Sequence, residues 1–409
     1  MYSPPVPSDL ARHWTLDPGI DFLNHGAFGA CPRAVLAEQQ RLREELERNP
    51  VEFLARQLPA RLDAARQRLA DFLGADPAGL VFVANATTGV NTVLAGLELA
   101  PGDEVVTSDH LYNACRNAID VVARRRGAVV RTVPIPFPGV TRELVRDSVL
   151  AAVGARTRLV VLDHVTSPTG LVLPVEELVA PLDRFGVDLL VDGAHAPGML
   201  PLALDALGCA YYTGNCHKWI CAPKGAAFLW LRADRRERIR PLVVSHGANT
   251  PRPGRSLLHD EFDWVGTDDP TPYLCVPTAL DTLEAMVPGG WPEIRRRNRE
   301  LALAARRLVG AALDIAEPCG DEMIGSLAAL PLPGAPGLAS PVGESDPLQA
   351  EIYREHRIET VVCGWPALGL RLLRVSAQLY NSLDQYRRLA SALAREKANR
   401  DPQPERRGP

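Results

Sequence analysis

Between residue 80 and about residue 230, short runs of consecutive apolar residues alternate with longer stretches of helical period. The runs are "LVFVA" (80–84), "EVVTS" (104–108), "AVVRTV" (128–133), "RLVVLDHV" (158–165), "VDLLVDGAHA" (187–196), "AYYTG" (210–214) and "AAFLWL" (226–231). A strand with one wet face alternates apolar and polar residues. These runs do not, and β-branched runs separated by helices predict parallel strands buried on both faces. The expectation is a wound α/β domain of about seven strands, within the usual range of sheet sizes. One of its helices should begin near Thr88.

The pattern changes after about residue 275. Two long helices are expected over "TPYLCVPTALDTLEAM" (271–286) and "WPEIRRRNRELALAARRLVGAAL" (291–313). A Pro/Gly-rich stretch (331–343) then leads to a helix over 346–356, strands near 358–363 and 369–375, and a final helix. That helix opens with Ser382 and Gln385 at the spacing of a capping box. The division that follows is an N-terminal segment (1–20) packing on the smaller domain, a large domain (21–275), a small C-terminal α+β domain (276–397) and a disordered tail (398–409).

Composition narrows the class of protein. A chain of 409 residues exceeds one small core, and its 46% hydrophobic and 23% charged residues are ordinary for a globular protein. A net charge of -4 gives no electrostatic reason to expect nucleic acid, and the Arg triplets at 124–126 and 295–297 read as solvated helix faces. The first residues lack the basic-then-apolar order of a signal peptide, and no apolar run is long enough for a membrane span. Eight cysteines without a CxxC pair suggest reduced thiols in a cytoplasmic protein.

Candidate chemistry gathers in "GNCHKWICAPKG" (214–225), where metal ligands, a reactive thiol or a lysine nucleophile are all open. Lys218 follows the strand "AYYTG", so its amine projects from the strand's carboxyl end, where ligands gather in open α/β sheets. A lone lysine is ordinarily a solvated charge, but lysine also forms Schiff bases with carbonyl compounds such as pyridoxal phosphate. Asp192 ends the apolar strand "VDLLVD", where a carboxylate needs a partner, and a pyridinium nitrogen is one. A metal-binding or capping aspartate is the plainer reading of that position alone. "ANATTGV" (84–90) joins a strand to a helix whose first amides, with Thr87 and Thr88, suit a phosphate. An ordinary threonine cap fits as well. Neither a Walker A loop nor a GxGxxG fingerprint is present.

"FLNHGAFG", "NATTGVN", "HVTSPTGLVLPV", "VDGAHAPG", "YYTGNCHKWICAPKGAAFLWL" and "LRVSAQLYN" resemble the class V aminotransferase family of pyridoxal-phosphate enzymes, in its isopenicillin N epimerase-like branch. The likeness runs from about residue 22 to 395. It implies the aspartate aminotransferase-like fold of PLP-dependent transferases, with a mostly parallel seven-stranded sheet and a smaller C-terminal α+β domain. Lys218 is similar to the cofactor lysine, Asp192 to the pyridinium partner and His195 to the donor towards the phenolic oxygen. Thr87, Thr88, Asn215 and His217 match phosphate-contacting positions. Tyr112 falls where an aromatic ring stacks on the pyridine, with His110 the rival two residues away. Ser167 stands where many relatives carry a cofactor-contacting Asn. Arg374 matches the clamp for the substrate carboxylate, and Asn24 and His25 belong to a stretch that lines the pocket mouth.

The resemblance further implies a small-molecule amino-acid substrate, no metal, and a homodimer in which Thr267 reaches the neighbouring subunit's phosphate. The expected reaction is at the α-carbon, with epimerisation ahead of C–S lysis of a cysteine conjugate or transamination. Cysteine desulfurases share the family, and Cys363 precedes Arg374 by eleven residues. "ETVVCGW" nevertheless reads as the end of a strand, before the loop where relatives carry that thiol. A non-enzymatic regulator with the same fold would need a decayed site or a DNA-binding appendage, and neither is visible.

Overall fold

The computed structural model describes residues 6–250, 252–332, 346–365 and 370–400. Most of the Pro/Gly-rich stretch, residues 366–369 and residues 401–409 of the expected tail lie outside them. In chain order the strands are β1 (Asp21–Phe22), β2 (Leu80–Val83), β3 (Glu104–Ser108), β4 (Val129–Val133), β5 (Thr157–Asp163) and β6 (Asp188–Asp192). Then follow β7 (Tyr211–Asn215), β8 (Ala227–Leu231), β9 (Leu327–Leu332), β10 (Ile358–Glu359), β11 (Val361–Trp365) and β12 (Leu370–Ser376).

The seven apolar runs form one seven-stranded sheet in the order β2-β8-β7-β6-β5-β3-β4. All its neighbours are parallel except β8, which is antiparallel to both β2 and β7. Alternate residues of β5 to β7 feed two cores. Leu159, Val161, Leu190 and Tyr211 pack on one face, and Val160, Leu162, Val191 and Tyr212 on the other. Each such side chain contributes roughly 1.5–3 kcal/mol on burial. The edge strand β4 is largely exposed, and it is the one run broken by Arg131 and Thr132. The chain runs outward from β3 to β4 and then returns to β5 on the other side of β3. That reversal opens a crevice at the strands' carboxyl ends.

The helix expected near Thr88 begins two residues earlier, at Ala86, because the Asn85 carboxamide accepts the Thr88 amide at 2.8 Å and caps it. The expected helix 271–286 is two helices, Thr271–Leu274 and Val276–Met286, separated at Cys275. Pro277 cannot donate an N–H to the preceding turn, so the ladder breaks there. The last helix runs Leu383–Arg400, three residues past the expected end. Half of its capping box forms: the Gln385 carboxamide accepts the Ser382 amide at 3.1 Å, while the Ser382 hydroxyl bonds the Val6 carbonyl.

A second, antiparallel sheet, β11-β12-β9, carries Arg374 against Ala329 and Val361. The N-terminal segment joins this half of the chain, since β1 pairs with β10 and the Ser8 amide bonds the Tyr380 carbonyl at 3.1 Å. The small sheet touches the loop after β5 directly. A Cβ on Gly170, whose φ is +68°, would stand 3.1 Å from the Leu327 backbone. Only glycine serves both that dihedral and that approach.

Candidate active site

Lys218 follows β7 within three residues, and its amine lies 3.2 Å from His195 Nε2. Burial, then the Arg374 guanidinium, push the amine down to about 8, against the opposing pull of Asp192 and Asp163. Burial first, and then the Lys218 and Arg374 cations, hold His195 well below the usual histidine range and hence neutral. Trp219 Nε1–H lies 3.5 Å from its Nδ1 and the Lys218 amine 3.2 Å from its Nε2; a neutral ring accepts from only one of them, so its tautomer follows the charge on the lysine.

Asp192 ends β6, fully sheltered. Its Oδ1 accepts the Ala194 amide at 3.0 Å and its Oδ2 the Cys115 thiol at 3.1 Å. Burial raises its carboxyl above the usual range, while those donors and Lys218 favour the charged form.

Arg374 reaches the same space from β12. It is buried, and its Nη1 donates to the Ser167 carbonyl at 2.6 Å and to the Ser167 hydroxyl at 3.3 Å. Its Nε has no partner among the described residues. A buried guanidinium with an unused N–H is built for an anion, and the fork suits a carboxylate. Ser167 thus acts on the arginine, through its carbonyl as much as its side chain. Tyr112, half exposed at the start of the helix Asn113–Arg126, lies within electrostatic reach of Asp192 and Arg374. His110 is fully buried, with Nδ1 on Thr169 Oγ1 at 2.8 Å and Nε2 on the Ile135 carbonyl at 3.0 Å. It faces the core, whereas Tyr112 is 45% exposed.

At the opposite end lies the helix Ala86–Gly96. Asn215 Oδ1 accepts the Ala86 amide at 2.8 Å, and Asn85 takes the Thr88 amide and hydroxyl. Asn215 was expected to contact a phosphate; its oxygen instead braces the helix start, leaving its N–H groups and the Thr87 amide as donors. His217 Nδ1–H donates to the Ala226 carbonyl at 3.1 Å, and the ring is held down to about 4, by burial first and then by Lys218. Its Nε2 is therefore a lone pair, and the expected phosphate contact requires that it take up a proton.

Asn24 and His25 do not line a mouth. Asn24 is buried against Glu359, and His25 has no exposed surface. His25 Nε2–H donates to the Lys218 carbonyl at 3.0 Å, so Nδ1 accepts from the Tyr380 hydroxyl at 2.9 Å. Burial drives this ring down to about 3. The stretch lies under the lysine: a Cβ on Gly29 would stand 2.0 Å from the His217 carbonyl. Three residues after Lys218, Cys221 adopts φ 61°, with its sulfur 3.6 Å from the Gln378 amide. A non-glycine residue in that region is strained and needs surroundings that hold it.

The thiols resolve as packing. Cys216 and Cys221 are buried, and the described residues contain no cluster that could hold a metal. Cys363 lies inside β11 opposite Leu372, with burial pushing its thiol up, so it is not on a loop before Arg374. Thr267 is exposed, and the adjacent Gly266 lines a groove with Thr88, Ala84 and Phe82. Two residues escaped sequence reasoning. Cys115 bonds Asp192, and Asp163 ends β5 beside Asp192. The second had a signal, because "LVVLD" ends in an acid just as "DLLVD" does.

A crevice at parallel strand ends, holding a buried lysine amine, a buried carboxylate and a buried arginine, defines a lysine-dependent α/β enzyme with a place for a carbonyl cofactor. The chain belongs to the class V aminotransferase family, whose profile matches residues 22–254. It is 38% identical over 393 residues to isopenicillin N epimerase of Amycolatopsis lactamdurans, covering 93% of this chain and 96% of that protein. Against isopenicillin N epimerase of Streptomyces clavuligerus it is 36% identical over 391 residues, covering 92% and 95%. An L-cysteine desulfhydrase of Arabidopsis thaliana is 28% identical over 421 residues, covering 95% and 89%. Among solved structures, the cystine C–S lyase C-DES in complex with cysteine persulfide superposes with a TM-score of 0.75 at 24% identity. That match covers 92% of this chain and 97% of C-DES.

Proposed function

We propose that the chain is a pyridoxal-phosphate enzyme that epimerises an amino acid at its α-carbon. The observation that carries the reading is the convergence of Lys218, His195, Asp192 and Arg374, from the ends of β6 and β7 and from β12 of the second sheet, on one space. The residues present fit the cofactor. Lys218 would hold its aldehyde, Asp192 its ring nitrogen, His195 its phenolic oxygen, and Thr87 and the Asn215 N–H groups its phosphate, since both Thr88 donors are taken by Asn85. Tyr112 would cover the ring face. When bound, pyridoxal phosphate supplies an electron sink conjugated to the substrate's α-carbon. Arg374 would take the substrate carboxylate through the N–H that lacks a partner. Lys218, whose amine sits at about 8, is neutral often enough near neutral pH to remove the α-proton, and inversion follows when a proton is delivered to the opposite face of the α-carbon. Ser167 keeps the arginine in place throughout.

Epimerisation leads because the epimerases are more similar over nearly the whole chain than the desulfhydrase is. C–S lysis of a cysteine conjugate is the second reading. The deciding experiment incubates the purified protein with a panel of amino acids and cysteine conjugates. Exchange of α-deuterium with inversion, and no pyruvate or ammonia, is the expected result; stoichiometric pyruvate and ammonia would replace it with the lyase.

The working form is proposed to be a cytoplasmic homodimer. All eight cysteines are unpaired, and no helix among the described residues is long and apolar enough to cross a membrane. Leu242, Val243 and Val244 are 49%, 55% and 66% exposed beside the groove of Gly266, an apolar patch that suits a second copy. Thr267, exposed in the same region, would reach that copy's phosphate site. Sedimentation at micromolar concentration tests the dimer, and a monomer there would refute it.

A further inference from the structure

Asp163 has no role in the function proposed above, yet it occupies a position equivalent to that of Asp192. The two residues are paired in register on the neighbouring parallel strands β5 and β6. Their strands lie about 4.8 Å apart. Both side chains point to the sheet face that holds Leu159, Val161 and Leu190, and both are buried, at 3% and 2% exposure. Two carboxylates cannot both be ionised that close together without water.

We propose that Asp163 is a positioning residue that stores the one proton of this carboxyl pair, leaving Asp192 as the ionised member that faces the cofactor.

The distribution of donors decides which acid keeps the proton. Asp192 has a donor on each oxygen, the Ala194 amide and the Cys115 thiol. Burial holds that thiol well above its usual range, so it remains an S–H donor. Asp163 Oδ2 is buried with no partner among the described residues. An anionic oxygen left bare costs far more than a neutral hydroxyl left bare. The groups around Asp163 agree. Asp192 on β6 opposes its ionisation, whereas the amides of Tyr112 and of Asp163 itself, and the Lys218 amine after β7, favour it; burial outweighs them all. A neutral Asp163 lets Asp192 serve a ring nitrogen as a full counter-charge, undiluted by a second anion.

The test is infrared spectroscopy of the purified full chain carrying 13C-carboxyl aspartate, at neutral pH. One band of a buried protonated carboxyl is expected in the wild type, absent from D163N and retained in D192N. No such band in the wild type, its survival in D163N or its loss from D192N would each overturn the proposal. If D163N does not fold, the wild type and D192N decide by themselves. A thermal readout follows from the sign of the shift. A carboxyl raised by folding contributes stability that is lost as pH rises through its folded value, so the melting temperature of D163N should fall less from pH 6 to pH 9 than that of the wild type. The proposal rests on the cofactor reading only for what Asp192 faces. The band without any cofactor absorbance would refute that reading and leave the proton assignment standing, and absorbance without the band would do the reverse.

Discussion

Lys218 and Arg374 are both buried cations in one crevice, and their surroundings make them opposites. The lysine belongs to the large sheet, close after β7, and burial together with the neighbouring guanidinium lowers its proton affinity to about 8. The arginine belongs to the small sheet, and although burial lowers it too, guanidinium stays charged at any working pH. The same desolvation turns one cation into a base and leaves the other a permanent anion receptor. Their supports differ accordingly. The backbone of Lys218 is held from beneath by His25 and Tyr380, which leaves the amine to move. The head of Arg374 is itself pinned at Nη1 by Ser167, and its Nε has no partner among the described residues.

Erasing the difference should have the largest effect. Lys218→Arg keeps the charge but removes the titrating amine, so turnover should fall by at least about 10⁴-fold. No cofactor should be trapped covalently by borohydride, as read by mass spectrometry, while circular dichroism stays native. Asp192→Asn leaves both cations but removes the counter-charge; kcat should fall about 10²–10³-fold, the scale of losing one key electrostatic stabiliser. Activity within a few-fold of wild type would show that Asp192 is not the ring's partner. Arg374→Ala should raise KM roughly 10²-fold for an α-carboxylate substrate and little for the corresponding amine. Equal losses for both would make the arginine a structural residue.

Smaller effects sharpen the picture at the far end of the site. His217 is neutral with Nε2 bare, so an anion must bring a proton with it. Sulfate, which stays doubly charged, should bind the cofactor-free protein up to about tenfold more tightly for each unit that pH falls from 7 to 5. His217→Asn should flatten that slope in a calorimetric titration. Cys363→Ser should change kcat/KM by less than about twofold, since the thiol lies in a strand interior. Complete loss would return the thiol to the chemistry.

Strand order and helix ends explain what could be read early. The strand runs at 158–165, 187–196 and 210–214 are apolar enough to declare a doubly buried sheet, and Asp192 and Lys218 stood out as polar residues at its ends. Asp163 carries the same signal, but a strand-end acid gains meaning only from its neighbour in the sheet. His25 was misplaced for a related reason. Its contacts, Lys218 and Tyr380, are 193 and 355 positions away, and no local pattern reports such distances. The break at Cys275 was local and visible in Pro277, but the apolar period across it concealed it.

By itself the sequence determined the α/β alternation, the residue types that make a lysine-dependent site, and the resemblance that named the family. Those depend on period, composition and short motifs, which are properties of neighbouring positions. Tertiary structure alone decided that Asp163 shares a register with Asp192, that His217 turns its Nδ1–H to the Ala226 carbonyl, and that Asn215 braces a helix start. Each of these is a matter of which donor lies within about 3 Å of which acceptor, and of how much water remains between them. The chain settles both only when distant segments close on one another, because burial and hydrogen-bond partners are made by the fold.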